Sequence, residues 1–161
     1  MDDGTQQHDG TDAPAGAGCG GHAGDRWRLE LAHDLASVPH ARHWVVRRCA
    51  AMGVPPAAGA VVELLTAELT ANAVLHGSPP VRLDLERAGE GVRVRVHDAD
   101  PTPPVRRDVG PEATGGRGVA LVDLLSSEWG VLQRTDGKTV WFTVGPRGPR
   151  GPRAVDGPAG G

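Results

Sequence analysis

The chain has 161 residues, of which 24 are Gly and 14 are Pro, so 38 positions punctuate the backbone rather than build elements. The excess sits at the ends: residues 1–24 hold seven Gly and one Pro and residues 145–161 hold six Gly and four Pro, leaving 120 residues whose composition suits one globular domain. The first segment carries four Asp and no Lys or Arg, the middle 14 basic against 15 acidic residues, and the tail three Arg against Asp156. That nearly neutral middle lacks the basic footprint of phosphate-backbone binding and excludes nucleic acid as the default partner.

Residues 1–24 are polar and aperiodic and are expected to be disordered, ahead of a domain at 25–144 and a disordered Gly/Pro/Arg tail at 145–161. Trp27, Leu29 and Leu31 alternate with polar residues as a first strand. Ser37 stands as an N-cap with Pro39 in the first turn, and Val38, Ala41, Val45, Cys49 and Met52 follow at helical spacing until Gly53. Pro55 and Pro56 start a longer, mostly apolar helix that Gly77 ends, a pattern of burial on most sides. Val81, Leu83 and Leu85, then Val92, Val94 and Val96, make a hairpin around Gly89–Gly91.

The segment Ala99–Gly118 has no period and reads as a long functional loop. A short helix over Val119–Ser127 follows, and then a second hairpin, Trp129–Thr135 and Lys138–Val144, with Asp136 and Gly137 as its turn and Trp129 and Trp141 paired across it. The predicted fold class is α+β: a two-layer α/β sandwich with a mixed, mostly antiparallel sheet covered on one face by three helices. Cys19 and Cys49 make neither a metal spacing nor a disulfide framework and read as a tail thiol and a core thiol. His33, His40 and His43 read as solvent-facing rather than as a metal site. No run approaches the roughly 18 apolar residues of a membrane span, and the acidic N-terminus is unlike a signal peptide, so the expected location is the cytoplasm.

Chemistry concentrates in two places. In the long helix Glu68, Asn72 and His76 recur at steps of four, which places them along one slowly drifting stripe of an otherwise apolar rod. A carboxylate and an amide oxygen one turn apart on a rigid element are suited to holding a hydrated Mg²⁺ or orienting a nucleophile; the alternative is a merely exposed polar stripe. The long loop closes with Gly115, Gly116, Arg117 and Gly118 before a helix, where free backbone N–H groups and the helix dipole favour a phosphate. Asp98, where a strand meets that loop, is placed to accept a hydrogen bond from an exocyclic amine or to start a turn.

Together, Glu68, Asn72, Ala73 and His76, then Asp98, then Gly115–Val122 and Lys138–Phe142, resemble the successive signatures of the ATPase superfamily of gyrase, the ninety-kilodalton heat-shock chaperone, histidine kinases and the mismatch-repair ATPase (GHKL, or Bergerat fold). The resemblance covers about residues 28–144, and the wording GRGVALVDLLSSEWGV with DGKTVWF is most similar to the bacterial anti-sigma-factor serine/threonine kinases. It implies a histidine-kinase-like ATPase domain that binds ATP and Mg²⁺. Asn72 would hold the metal, Glu68 would act as base and Arg117 would lie near the γ-phosphate. Asp98 would meet the adenine amine, Gly116, Gly118 and Val119 would line the phosphate end, and Thr139 would back the adenine.

The implied partners are a sigma factor and an anti-sigma-factor antagonist that receives the phosphate, with self-association through the sheet edge or first helix as a further expectation. Where the family's second signature carries two glycines, this chain has Ala99, Asp100, Pro101 and Thr102 after Asp98. Pro101 has a fixed φ and no N–H, so the loop around the ligand differs and a binding module without catalysis is the main alternative. An ATPase in which Glu68 activates water is another.

Overall fold

A computed structural model of the chain describes residues 26–102 and 117–148. The expected disordered N-terminal segment, Gly115, Gly116 and most of the C-terminal tail lie outside these. The elements, in chain order, are β1 (Arg26–Leu31), α1 (Ser37–Ala51), α2 (Pro56–His76), β2 (Val81–Ala88), β3 (Gly91–Asp98), α3 (Arg117–Leu125), β4 (Glu128–Arg134) and β5 (Gly137–Val144). The sheet order is β1-β2-β3-β5-β4, and every neighbouring pair is antiparallel, not mixed. Two crossovers through helices set that order: α1 and α2 return the chain beside β1, and α3 with β4 brings β5 back against β3.

Strand alternation sorts residues onto two faces. Leu31, Val81, Leu83, Leu85, Val92, Val94, Val96, Phe142 and Val144 are buried and join Ala41, Val45 and Cys49 of α1, Val62, Leu65, Leu69 and Ala73 of α2, and Val122 of α3 in one core. Among the described residues Phe142 is the largest side chain wholly removed from solvent. Burial pushes the Cys49 thiol up to about 11, consistent with a packing role. α2 has 21 residues and is long and apolar enough to cross a membrane by length and composition, contrary to the expectation that no run approaches a span. In this fold it is the central core helix, burying residues from Ala58 to Val74.

The opposite face of the sheet is polar and tied by ion pairs. Arg28 reaches both oxygens of Asp84 at 2.7 and 3.3 Å, Arg26 adds a bond at 3.1 Å, and Arg95 meets Glu86 at 2.7 Å. On the same face the guanidinium of Arg93 lies 4.9 Å from the Trp141 ring centroid.

Four local expectations shift. Ser37 is already helical, with Ala36 at the cap position, and its hydroxyl donates to the Ala32 carbonyl at 2.7 Å. Gly137 opens β5 at φ +142°, so Thr135 and Asp136 form the turn, with Arg134 opposite Gly137. Trp129 therefore pairs with Phe142 and Trp141 with Gly130, placing the two indoles on opposite faces. Finally, residues 145–148, assigned to the tail, make a turn held by Gly145 N–H on the Ser127 hydroxyl and Gly148 N–H on the Gly145 carbonyl.

The ion pairs have a pH signature. Burial pushes the Asp84 carboxyl up, but the hydrogen bonds and charges of Arg28 and Arg26 outweigh it and hold the group below its ordinary value. The Arg95 hydrogen bond does the same for Glu86 against a smaller burial effect. Both depressed groups stabilise the fold fully above the unfolded carboxylate range of about 4, and that stability is lost as pH falls through the lower folded values. Because the arginines are about half exposed, the Asp84 pairs are partly screened. Urea unfolding of Asp84→Asn should show a loss of about 1–2 kcal/mol at pH 7 and a shallower decline on acidification than the parent.

Candidate nucleotide site

The site is built along α2. Its polar stripe begins with Glu68 and Asn72, both half-buried, and ends at the exposed His76. Facing it is the first turn of α3, where Gly118 is buried against the stripe. A Cβ at Gly118 would lie 2.8 Å from Asn72 Nδ2 and 3.4 Å from Glu68 Oε2. The absence of a side chain there lets the backbone at the N-terminus of α3 close upon a carboxylate and an amide. That juxtaposes a helix N-terminus, suited to phosphate, with oxygen donors suited to a divalent cation. The donor types brought together here, a carboxylate, an amide and a helix N-terminus, are those a metal-bound polyphosphate uses, while Gly118 itself packs directly on the stripe with less than a Cβ's space between them. Val119 follows on α3, half-buried, and Arg117 begins that helix.

The other end of the stripe meets Asp98 at the end of β3. Gly77, at the C-terminus of α2, packs so closely that a Cβ there would lie 2.5 Å from Asp98 Cγ. The nine-residue interval from Glu68 to Gly77 corresponds to about 14 Å of helix. α2 therefore lines a track with Glu68, Asn72 and Gly118 at one end and Gly77 and Asp98 at the other.

Asp98 is buried, at 2% exposure. Its Oδ1 accepts a bond from Lys138 Nζ at 2.9 Å and another from the Asp100 N–H at 3.0 Å. Lys138 stands directly opposite Asp98 across β3 and β5, and its ammonium also donates to the Asp100 carbonyl at 3.2 Å. Thr102 donates its backbone N–H to Asp100 Oδ1 at 2.9 Å, and its side-chain and backbone hydrogen bonds hold that carboxyl below the ordinary carboxylate value. From β4, Gln133 donates to the Pro101 carbonyl at 3.0 Å. The loop start that lacks glycines is thus fastened by side chains.

Thr139 is not grouped with the others. It lies on the face of the sheet away from the helices, with its hydroxyl 3.2 Å from His97 Nδ1. Lys138, absent from the expected site residues, takes the helix side, as the parity of Val140, Phe142 and Val144 dictates. Gly77, which the sequence marks as a helix stop, adds a close contact with Asp98 that only the fold creates. Among the described residues no three His, Cys, Asp or Glu gather as a metal cluster: His33 meets the Gly77 carbonyl at 3.2 Å, and His43 meets the Pro39 carbonyl at 2.8 Å within α1.

A three-helix layer on an antiparallel sheet, with the first turn of α3 packed on the acid–amide stripe of α2, makes a two-layer sandwich. The family model described as the histidine kinase-like ATPase domain matches residues 31–144, and the chain belongs to that family. Among solved structures, the crystal structure of the RsbU and RsbW domains of Rv1364c from Mycobacterium tuberculosis is similar, with 21% sequence identity and a TM-score of 0.56, over 80% of this chain and 33% of that one. The chain thus spans about a third of the length of that protein, and the likeness is one of fold. No curated protein matches the chain.

The Gly118 contact is open to a direct check. Gly118→Ala pushes aside the ends of the Asn72 and Glu68 side chains, which offsets the gain of Ala over Gly in a helix, so urea unfolding should show a loss of no more than about 1 kcal/mol. In contrast, Gly59→Ala in α2, where a Cβ meets nothing within 4 Å, should leave stability equal or raised by up to about 1 kcal/mol.

Proposed function

We propose that this chain is an ATP-dependent regulatory protein kinase of the anti-sigma-factor type, which passes the γ-phosphate of ATP to a serine or threonine of a small antagonist protein in the cytoplasm and holds a sigma factor as its other partner. The observation that carries this reading is the seating of Gly118 on Asn72 and Glu68. Family membership and the fold shared with a structure that includes an RsbW domain support it.

The division of labour follows from the chemistry of each group. Glu68 is the carboxylate available to take the proton of an incoming hydroxyl, and its position on a core helix fixes it in place. Asn72 is the residue that would hold Mg²⁺, whose charge, when bound, offsets that of the phosphates. The backbone at Gly118 and Val119, at the start of α3, suits phosphate oxygens, with Gly116 and Arg117 beside it in sequence. Asp98 stands at the base end. Phosphoryl transfer needs mainly positioning and charge neutralisation, so these groups form a sufficient set.

A second reading, a module that holds its partner without catalysis, is favoured by one observation: the Asp98 carboxylate is already engaged by Lys138 and Asp100. The two separate in a calorimetric titration with Mg-ATP combined with γ-phosphate tracing in the presence of candidate partners. The kinase reading expects Asn72→Ala to lose binding and turnover together. Glu68→Gln should keep ATP affinity within about threefold and lose transfer by at least a hundredfold, the usual scale for a general base. Phosphate on neither protein nor water, with the partner still bound, would leave the module; phosphate released only to water would make the chain an ATPase.

A further inference from the structure

We infer that Lys138 is a positioning residue for the base end of the site: by holding Oδ1 of Asp98 it fixes the carboxylate and leaves Oδ2 as the acceptor for the exocyclic amine of an adenine. This rests on the ATP-site reading above and deepens it, because that reading gives Lys138 no role.

The engagement of Asp98 is one-sided. Lys138 stands directly opposite it across β3 and β5. Its Nζ lies 2.9 Å from Oδ1, and the two side chains are only 10% and 3% exposed. Oδ1 also accepts the Asp100 N–H at 3.0 Å, and Gly77 packs against the same oxygen, where a Cβ would lie 2.6 Å away. Oδ2 takes no bond from the described residues. The unpartnered side-chain oxygens sealed from solvent among those residues belong to Thr66, Thr70 and Ser126, so Oδ2 keeps access to solvent. The ammonium is itself anchored, since it also donates to the Asp100 carbonyl at 3.2 Å and has the Asp100 carboxylate 3.9 Å away.

Rotation of an aspartate carboxyl about its Cβ–Cγ bond is soft, with no sharp staggered well to hold it. One backbone N–H restrains that rotation in part; an ammonium tied to a second residue completes the restraint. Charge matters as well as contact, because the inner neighbours of the pair along their strands are Val96 and Val140, and a carboxylate in such a setting needs an opposite charge beside it. With Nζ as counter-charge on Oδ1, an amine on Oδ2 meets an ionised acceptor and makes a charge-assisted bond, about twice as strong as a neutral one. An acceptor fixed in advance also spares the nucleotide the cost of ordering it.

The test compares two ligands that differ at one group: ATP, and purine riboside triphosphate, which carries hydrogen in place of the amine. Each is titrated calorimetrically with Mg²⁺ into the full chain and into Lys138→Met, with Asn72→Ala as reference. The parent should prefer ATP by at least about tenfold, the scale of a hydrogen bond to a charged group, and Lys138→Met should bind ATP more weakly with a preference below about threefold. A role in stability alone would weaken both ligands by one factor. That outcome, an unchanged preference, tighter ATP binding in Lys138→Met, or equal binding of the two ligands by the parent overturns the proposal. If Asn72→Ala loses ATP in the same titrations, these outcomes leave the nucleotide site itself standing; no binding of either ligand by the parent overturns both readings. Should Lys138→Met fail to fold, the parent supplies a second readout. Lys138 is the only Lys in the chain, so lysine isotopically labelled at Nζ gives one ammonium resonance. It should persist and shift with Mg-ATP but not with the purine analogue; its loss to rapid exchange on binding, or an equal shift with both ligands, overturns the proposal.

Discussion

A helix that supplies the core can spare only a narrow line for polar groups, and in this chain that line on α2 is the site. α2 buries residues from Ala58 to Val74 while leaving Glu68 and Asn72 half-covered by α3. The consequence is mechanical. Side chains of a helix locked into a packed interior cannot drift by the ångström that positional catalysis forbids. The same packing that stabilises the domain therefore holds its acid and amide. Gly118 completes this arrangement by removing the one side chain that would stand between α3 and the stripe.

The sheet divides its labour by parity. Its inner residues are apolar until the strands reach the site, where Asp98 and Lys138 occupy inner positions opposite each other. An ion pair at such a place is weak evidence for stability, because desolvation of both charges offsets most of their attraction. Its outer residues form Arg–carboxylate pairs around Asp84 and Glu86, which join β1, β2 and β3 on the face without helices. The Arg-paired carboxylates thus sit on the face opposite the candidate site, while Asp100, whose carboxyl is also held below its ordinary value, lies beside Asp98.

How much was legible follows from what periodicity encodes. All eight elements could be read from the sequence, because strand alternation and the 3.6-residue period report burial directly. So could the shared face of Glu68 and Asn72, fixed by a four-residue step, whereas the seating of Gly118 on them is a tertiary contact that no local pattern contains. Register was less legible: reading Asp136 and Gly137 as the turn displaced the pairing of the last hairpin by one residue, which wrongly set Trp129 against Trp141. A slip of one residue exchanges the faces of a strand. The same parity puts Thr139 on the outer face and Lys138 on the inner one, since a local motif names residue types while the alternation of Val140, Phe142 and Val144 decides which side each one takes. The Lys138–Asp98 contact is 40 residues long-range and no local pattern contains it.

The loop after β3 shows how a missing glycine can be answered structurally. A glycine there would let the backbone approach a ligand with no side chain in the way. Here the chain turns instead by Asx-type bonds, Asp98 to the Asp100 N–H and Asp100 to the Thr102 N–H, and two residues from the neighbouring strands, Lys138 and Gln133, fasten the Asp100 and Pro101 carbonyls. Each bond satisfies a group that a glycine loop would leave to solvent or ligand. The base end is in consequence partly engaged, with Asp98 Oδ1 held by Lys138 and the Asp100 N–H, whereas at Gly118 the lack of a side chain lets α3 close on the polar stripe.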